Sequence, residues 1–240
     1  MNKKLMTFSI ALLAAAVALG APKKKLPAVA VDEEAPTTGK DAKVLIDQFA
    51  KLGGQALLAA PSLQGGSVIG PCYTKPRRWI VLETKYSTFV KWHEQLTFTW
   101  HVLLDSKTAT QNKGNKEGLA PYSYFTTSMT YQNIPHGSHA ASVCLHPSYL
   151  ELYGEPKAVG LVITNPKGEV LNWKCDSEIK GIPSGAFPKP VEIAFWNNQE
   201  GVMNAKKEGK PMIETRQGLL DRSKTIWALV NPNDYEQVAQ

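Results

Sequence analysis

Residues 136–146, HGSHAASVCLH, bring His136, His139, Cys144 and His146 within eleven positions. Imidazole nitrogens and thiolates are the donors that zinc takes, and a thiol beside an imidazole is also a nucleophile with its base. Either chemistry requires the side chains to converge. The apolar alternation over 138–146 predicts a β-strand, in which successive side chains point to opposite faces. His139, Ala141, Val143 and Leu145 then share one face, and Ala140, Ser142, Cys144 and His146 share the other. His136 falls in a turn beside Pro135 and Gly137. The donors do not meet within the segment, and no CxxC or HxxxH elsewhere supplies a second ligand pair. The stretch reads as a structural strand, and neither metal nor cofactor is expected.

Other catalytic signatures are missing as well: the chain has no GxSxG elbow, Walker loop, GxGxxG or HExxH. Asp32-Glu33-Glu34 and Glu83 read as solvated acids of a tether and a strand surface. Two carboxylates brought together only by the fold leave no motif, so a secreted hydrolase stays as an alternative to a non-enzymatic reading. The six tryptophans favour binding, because aromatic platforms grip sugars and anchor protein interfaces. Trp100 falls on an apolar face and is expected in the core. Trp92, between Lys91 and His93 in a connection, is the best candidate for an exposed contact.

The elements that would carry these residues are mostly strands. In EQLTFTWHVLLD, Leu96, Phe98, Trp100, Val102 and Leu104 fall on one face, and Thr97, Thr99, His101 and Leu103 on the other. WIVLETKY (79–86), YSYFTTSMTY (122–131) and VEIAFWN (191–197) read as further strands, and 211–220 as an eighth. KAVGLVITNPKGEVLNWKC reads as a hairpin turning at Asn165-Pro166-Lys167-Gly168. Seven or eight short strands predict an immunoglobulin-like antiparallel β-sandwich, with a barrel as the alternative. Helix is expected only at the ends: an amphipathic one over 41–52 and a stub near 231–236.

The first twenty residues combine Lys3 and Lys4 with the apolar run LMTFSIALLAAAVALG and small residues at Ala18 and Gly20. That is the pattern of a cleaved signal peptide, and the run is short of the roughly 20 residues of a spanning helix. Residues 21–40 read as a flexible tether, 41–70 as a helical lead-in and 71–240 as the sandwich. Without Lys3 and Lys4 the net charge falls from +6 to +4. The basic clusters at 23–25 and 75–78 lack interleaved stacking aromatics, so nucleic acid is not an expected partner. Cys72, Cys144 and Cys175 allow one disulfide and one leftover thiol. Cys144 paired with Cys175 is the candidate bridge, and a Cys144–Cys72 pairing is the other one open to Cys144.

The leader, the lysine-rich spacer and the run from WIVLETKY through GSHAASVCLHP to AVGLVITNPKGEVLNWKC resemble a family of cell-surface proteins of mucin-dwelling Verrucomicrobia. Those proteins are encoded with a type IV pilus-like gene cluster and have an immunoglobulin-like fold. The resemblance implies an outer-surface, pilus-associated or periplasmic protein without catalytic residues, acting in adhesion or host contact. It also implies a protein or glycan partner at the cell surface, and self-association in a filament or oligomer. The apolar run holds no Glu, unlike the helix of ordinary prepilins. An accessory or independently exported protein is therefore as good a reading as a pilin subunit. A secreted carbohydrate-binding module is the first alternative, and the secreted hydrolase the second.

Overall fold

The structure, a computed structural model, describes residues 44–59, 77–108, 120–182, 184–186 and 190–229. The leader, the tether, Cys72 and the C-terminal stub lie outside the described residues. The strands are β1 (Val44–Gln48), β2 (Leu57–Ala59), β3 (Arg78–Asp105), β4 (Tyr122–Leu145), β5 (Glu155–Thr164), β6 (Val170–Ser177) and β7 (Gly185–Ala186). The short strands β8 (Lys206–Lys207), β9 (Lys210–Pro211), β10 (Ile213–Arg216) and β11 (Leu220–Asp221) follow. Among the described residues one α-helix of seven residues, α1 (Pro147–Tyr153), stands between β4 and β5.

Among the described residues nine strands form one sheet in the order β10-β4-β3-β5-β6-β7, with β1 and β2 paired to β3 and β11 to β4. All these pairings are antiparallel except β10 with β4. The sheet becomes a sandwich because its two longest strands bend double. Tyr86 and Phe98 lie on the same strand, twelve positions apart, so a straight β3 would separate them by about 40 Å. Their ring centroids are 4.8 Å apart. One layer is therefore built on residues 78–88 of β3 and 137–145 of β4, the other on 95–105 and 122–132. A hydrogen bond from Asn172 Nδ2 on β6 to the Val44 carbonyl on β1, 2.9 Å, also ties the layers together.

The core between the layers is read off the period of two. Ile80, Leu82 and Tyr86 from the first half of β3 face Phe98, Trp100 and Val102 from the second, all buried, with Val143, Leu145 and Leu161. A second apolar cluster, including Leu103, Trp173, Phe195 and Trp196, covers the far face of the second layer.

The mostly-β sandwich expected from the sequence is the observed fold. The hairpin turn at Asn165–Gly168 is as expected too: Gly168 N donates to the Asn165 carbonyl at 2.9 Å, and Gly168 takes φ 80°. Three local expectations are corrected. Residues 44–48, read as part of a helix, are strand β1, whose Val44 and Ile46 turn inward while Leu45 and Asp47 turn out. Its neighbour β3 offers an open edge, and pairing with that edge outweighs a marginal helical period. Residues 191–197 are a 3-10 turn and bends, not a strand. Ala194, Phe195 and Trp196 are consecutive and all buried, packed over the far face of the second layer without joining the sheet. The two strands read at 79–86 and 96–104 are one continuous β3, and the two read at 122–131 and 138–146 are one continuous β4.

Candidate interaction surface

Two of the donors, His136 and His139, stand at the bend, and His139 serves the fold there. Residues 89–91 of β3 lie opposite the single residue 136 of β4, since Thr88 pairs with Gly137 and Trp92 with Pro135. That excess makes a bulge, which turns the strand and re-aims its side chains. On β4 the turn uses Asn133 at φ 55° and Gly137 at φ 139°, conformations that favour Asn and Gly. Thr88 Oγ1 donates to the Pro135 carbonyl at 2.6 Å and accepts from Gly137 N at 3.1 Å. His139 Nε2 reaches the same carbonyl at 2.9 Å. A carbonyl can only accept, so His139 carries its proton on Nε2.

The other histidines are dispersed. His146 caps α1, its Nδ1 accepting from Ser148 N at 3.2 Å, and its ring packs edge-on against Trp79 at 5.1 Å. His136 is exposed on the bend. His101 lies on the far face of the second layer, its Nδ1 2.6 Å from Tyr124 Oη and its ring stacked on Trp196. Burial holds the His101 imidazole down at about 3. Among the described residues no three His, Cys, Asp or Glu side chains are grouped to hold a metal.

Cys144 and Cys175 do not bridge each other; both are buried thiols. The candidate disulfide is corrected for a reason visible in the register. Cys144 pairs with Val81 and Leu220 and faces away from the core, with Thr225 Oγ1 4.0 Å from its Sγ. Cys175 packs with Trp173 and Phe195 on the outer side of the opposite layer. The whole core stands between them. Burial pushes the Cys144 thiol up to about 11.

What the fold does assemble is an apolar face. Inward residues Ile80, Leu82, Thr84 and Tyr86 leave Trp79, Val81, Glu83, Lys85, Ser87 and Phe89 on the outer side of the first layer. Paired strands add Leu45, opposite Ser87, and Leu58, opposite Trp79. Beyond the bulge Trp92 continues the row beside exposed Pro135, while His93 and Ile134 turn inward. Of the six exposed large apolar residues among those described, four stand here: Leu45, Leu58, Phe89 and Trp92, the last 54 % exposed. Trp92 sits within β3 at the bulge and not in a connection, and its side chain is exposed. Trp100, Trp173 and Trp196 are buried.

Between the β3 row and the link from β1 to β2 runs an open groove of about 590 Å³. Val81, Glu83 and Lys85 form one wall, and Gln48, Phe49 and Lys51 the other. Lys174 Nζ lies 5.6 Å from the centre of the Phe49 ring. Sequence reasoning missed Leu45, Leu58, Phe89 and this groove. A period-two reading of 79–89 would have put Phe89 on the outer face, but Leu45 was hidden in the mistaken helix.

No family model and no curated protein matches the sequence. A solved crystal structure of a protein from Akkermansia muciniphila, one of the Verrucomicrobia, is similar in fold, with a TM-score of 0.51 at 15 % identity. The match covers 82 % of this chain and 94 % of that one. No described helix is long and apolar enough to cross a membrane.

Proposed function

We propose that this chain is an exported, non-enzymatic interaction protein of a bacterial surface, linked to a pilus-like system and acting in adhesion or host contact. It would meet a protein or glycan partner through the outer face of its first layer. The observation that carries this reading is the exposure of Leu45, Phe89 and Trp92 beside the bend, with Leu58 farther along the same face. An apolar group of this kind, interleaved with polar residues, is what interfaces present at their centre. The fates of the histidines support the non-enzymatic part: His139 pins a bend, His146 caps a helix and His101 is packed in an aromatic cluster. The signal-peptide pattern and the resemblance in sequence texture support the surface address.

The test is binding of the fluorescently labelled full chain to intact epithelial cells, comparing the native protein with a Phe89→Ala/Trp92→Ala double variant. The reading expects saturable binding, weakened at least about tenfold in the double variant while the fold is retained. Equal binding by a folded double variant would overturn it, and so would turnover of a surface polymer that a single point variant abolishes.

A further inference from the structure

The groove on the outer face has a composition that the apolar residues around it do not share. Lys51 and Lys85 line it, against the one lining carboxylate of Glu83. The nearby Asp47 carboxylate accepts a hydrogen bond from Ser87 Oγ at 2.6 Å. Neither Lys51 nor Lys85 makes an ion pair among the described residues. The cations are thus placed for an anion that the protein itself does not supply.

The remaining lining narrows the class. Gln48 and Gln55 offer amides that both donate and accept, and Glu83 offers an acceptor, the pattern that satisfies hydroxyl groups. Phe49, Leu58 and Val81 supply apolar surface for the C–H faces of a ring. The volume of about 590 Å³ falls in the usual range for small-ligand sites, about 300–1,000 Å³. An acidic peptide adding as a strand would need a straight backbone edge beside the cations. The link from Phe49 to Ala56 is irregular and ends in a 3-10 turn, so it offers none.

We infer that this groove binds an anionic oligosaccharide, with its carboxylate or sulfate between Lys51 and Lys85 and its hydroxyls on Gln48, Gln55 and Glu83. The inference rests on the proposed use of this face for contact and names the ligand chemistry of one part of it.

The experiment titrates the full chain by calorimetry with a 6-sulfated chondroitin tetrasaccharide, its desulfated form and neutral maltotetraose. The sulfated sugar should bind saturably below millimolar concentration, and maltotetraose should not bind. Retained binding by the desulfated form assigns the contact to carboxylate, and its loss assigns it to sulfate. Lys85→Glu and Lys51→Glu should each weaken binding about tenfold or more, while Lys180→Glu, an exposed lysine outside the groove, should not. Binding of maltotetraose as strong as that of the acidic sugar, no binding of either acidic sugar, or an equal loss in Lys180→Glu would overturn the inference. If the acidic sugars fail while cell binding still depends on Phe89 and Trp92, the inference falls and the surface role stands. If cell binding is independent of those two residues, the surface role falls with it.

Discussion

Trp196 stacks on His101 with ring centroids 4.3 Å apart and planes within 4°, and its indole lies against the backbone of Gly160. A Cβ added at Gly160 would stand 1.9 Å from Trp196 Cζ3, a distance no packed pair of carbons tolerates. Glycine is required here by proximity and not by a left-handed backbone. Gly160 pairs with His101 on one side and Cys175 on the other, so all three residues share the face the indole covers.

Gly160→Ala should destabilise the protein by about 3 kcal/mol, the upper end of overpacking costs. Urea unfolding of the variant measures this. In a Trp196→Ala background the same substitution should cost much less, because the colliding ring is gone, giving a strongly non-additive double-mutant cycle. Additive effects would show that the indole does not rest on Gly160.

His101 makes stability depend on pH in a stated direction. Its folded imidazole titrates at about 3 and its unfolded one near 6.5, so between these values the unfolded chain binds more protons. The contribution is full above pH 6.5 and is lost as pH falls through the window, at roughly 1.4 kcal/mol per unit. Urea midpoints taken from pH 7 to pH 4 should fall accordingly. A His101→Gln variant, which cannot titrate, should show a shallower fall.

Cys144 should be inert in the folded protein. With its thiol at about 11 and its side chain buried, almost no thiolate meets solvent at pH 8. In a Cys72→Ser/Cys175→Ser background, reaction with an aromatic disulfide reagent should proceed only as fast as unfolding. Rapid labelling in native buffer would contradict the burial. A Cys144–Cys175 cross-linked peptide in a non-reducing digest would contradict the separation of the two thiols.

Thr88→Val should cost about 1–3 kcal/mol, because it removes a buried hydroxyl that bridges Pro135 and Gly137 across the bend. Thr88→Ser keeps the hydroxyl and should recover most of the loss. Thermal unfolding of the two variants separates lost hydrogen bonding from lost methyl packing.

Strand alternation was legible in the sequence wherever a face is buried. The division of 96–104 into core and outer residues is the observed one, and so is the inward set Ala141, Val143 and Leu145. The same logic separated His139 from Cys144 and dissolved the apparent active site. The bend was not legible. A bulge at 89–91 depends on how β3 pairs with β4, and that pairing is a long-range fact that no local pattern of apolar residues records. With the bend hidden, one strand read as two, and the face that joins Leu45, Phe89 and Trp92 could not be assembled. Residues 191–197 misled for a related reason: their apolar content serves as a lid over Leu103 and Trp173, and a lid has no period.

β1 and β2 pair only within the first layer and β5, β6 and β7 only within the second, but β3 and β4, on which both layers are built, each pass through the two. Exchanging one half of the sandwich with a second copy would mean tearing the same hairpin in the middle, at the Thr88 and His139 pins. The sandwich therefore has no severable half. Under load along the chain, neither half of the β3–β4 hairpin can peel away while the other stays folded.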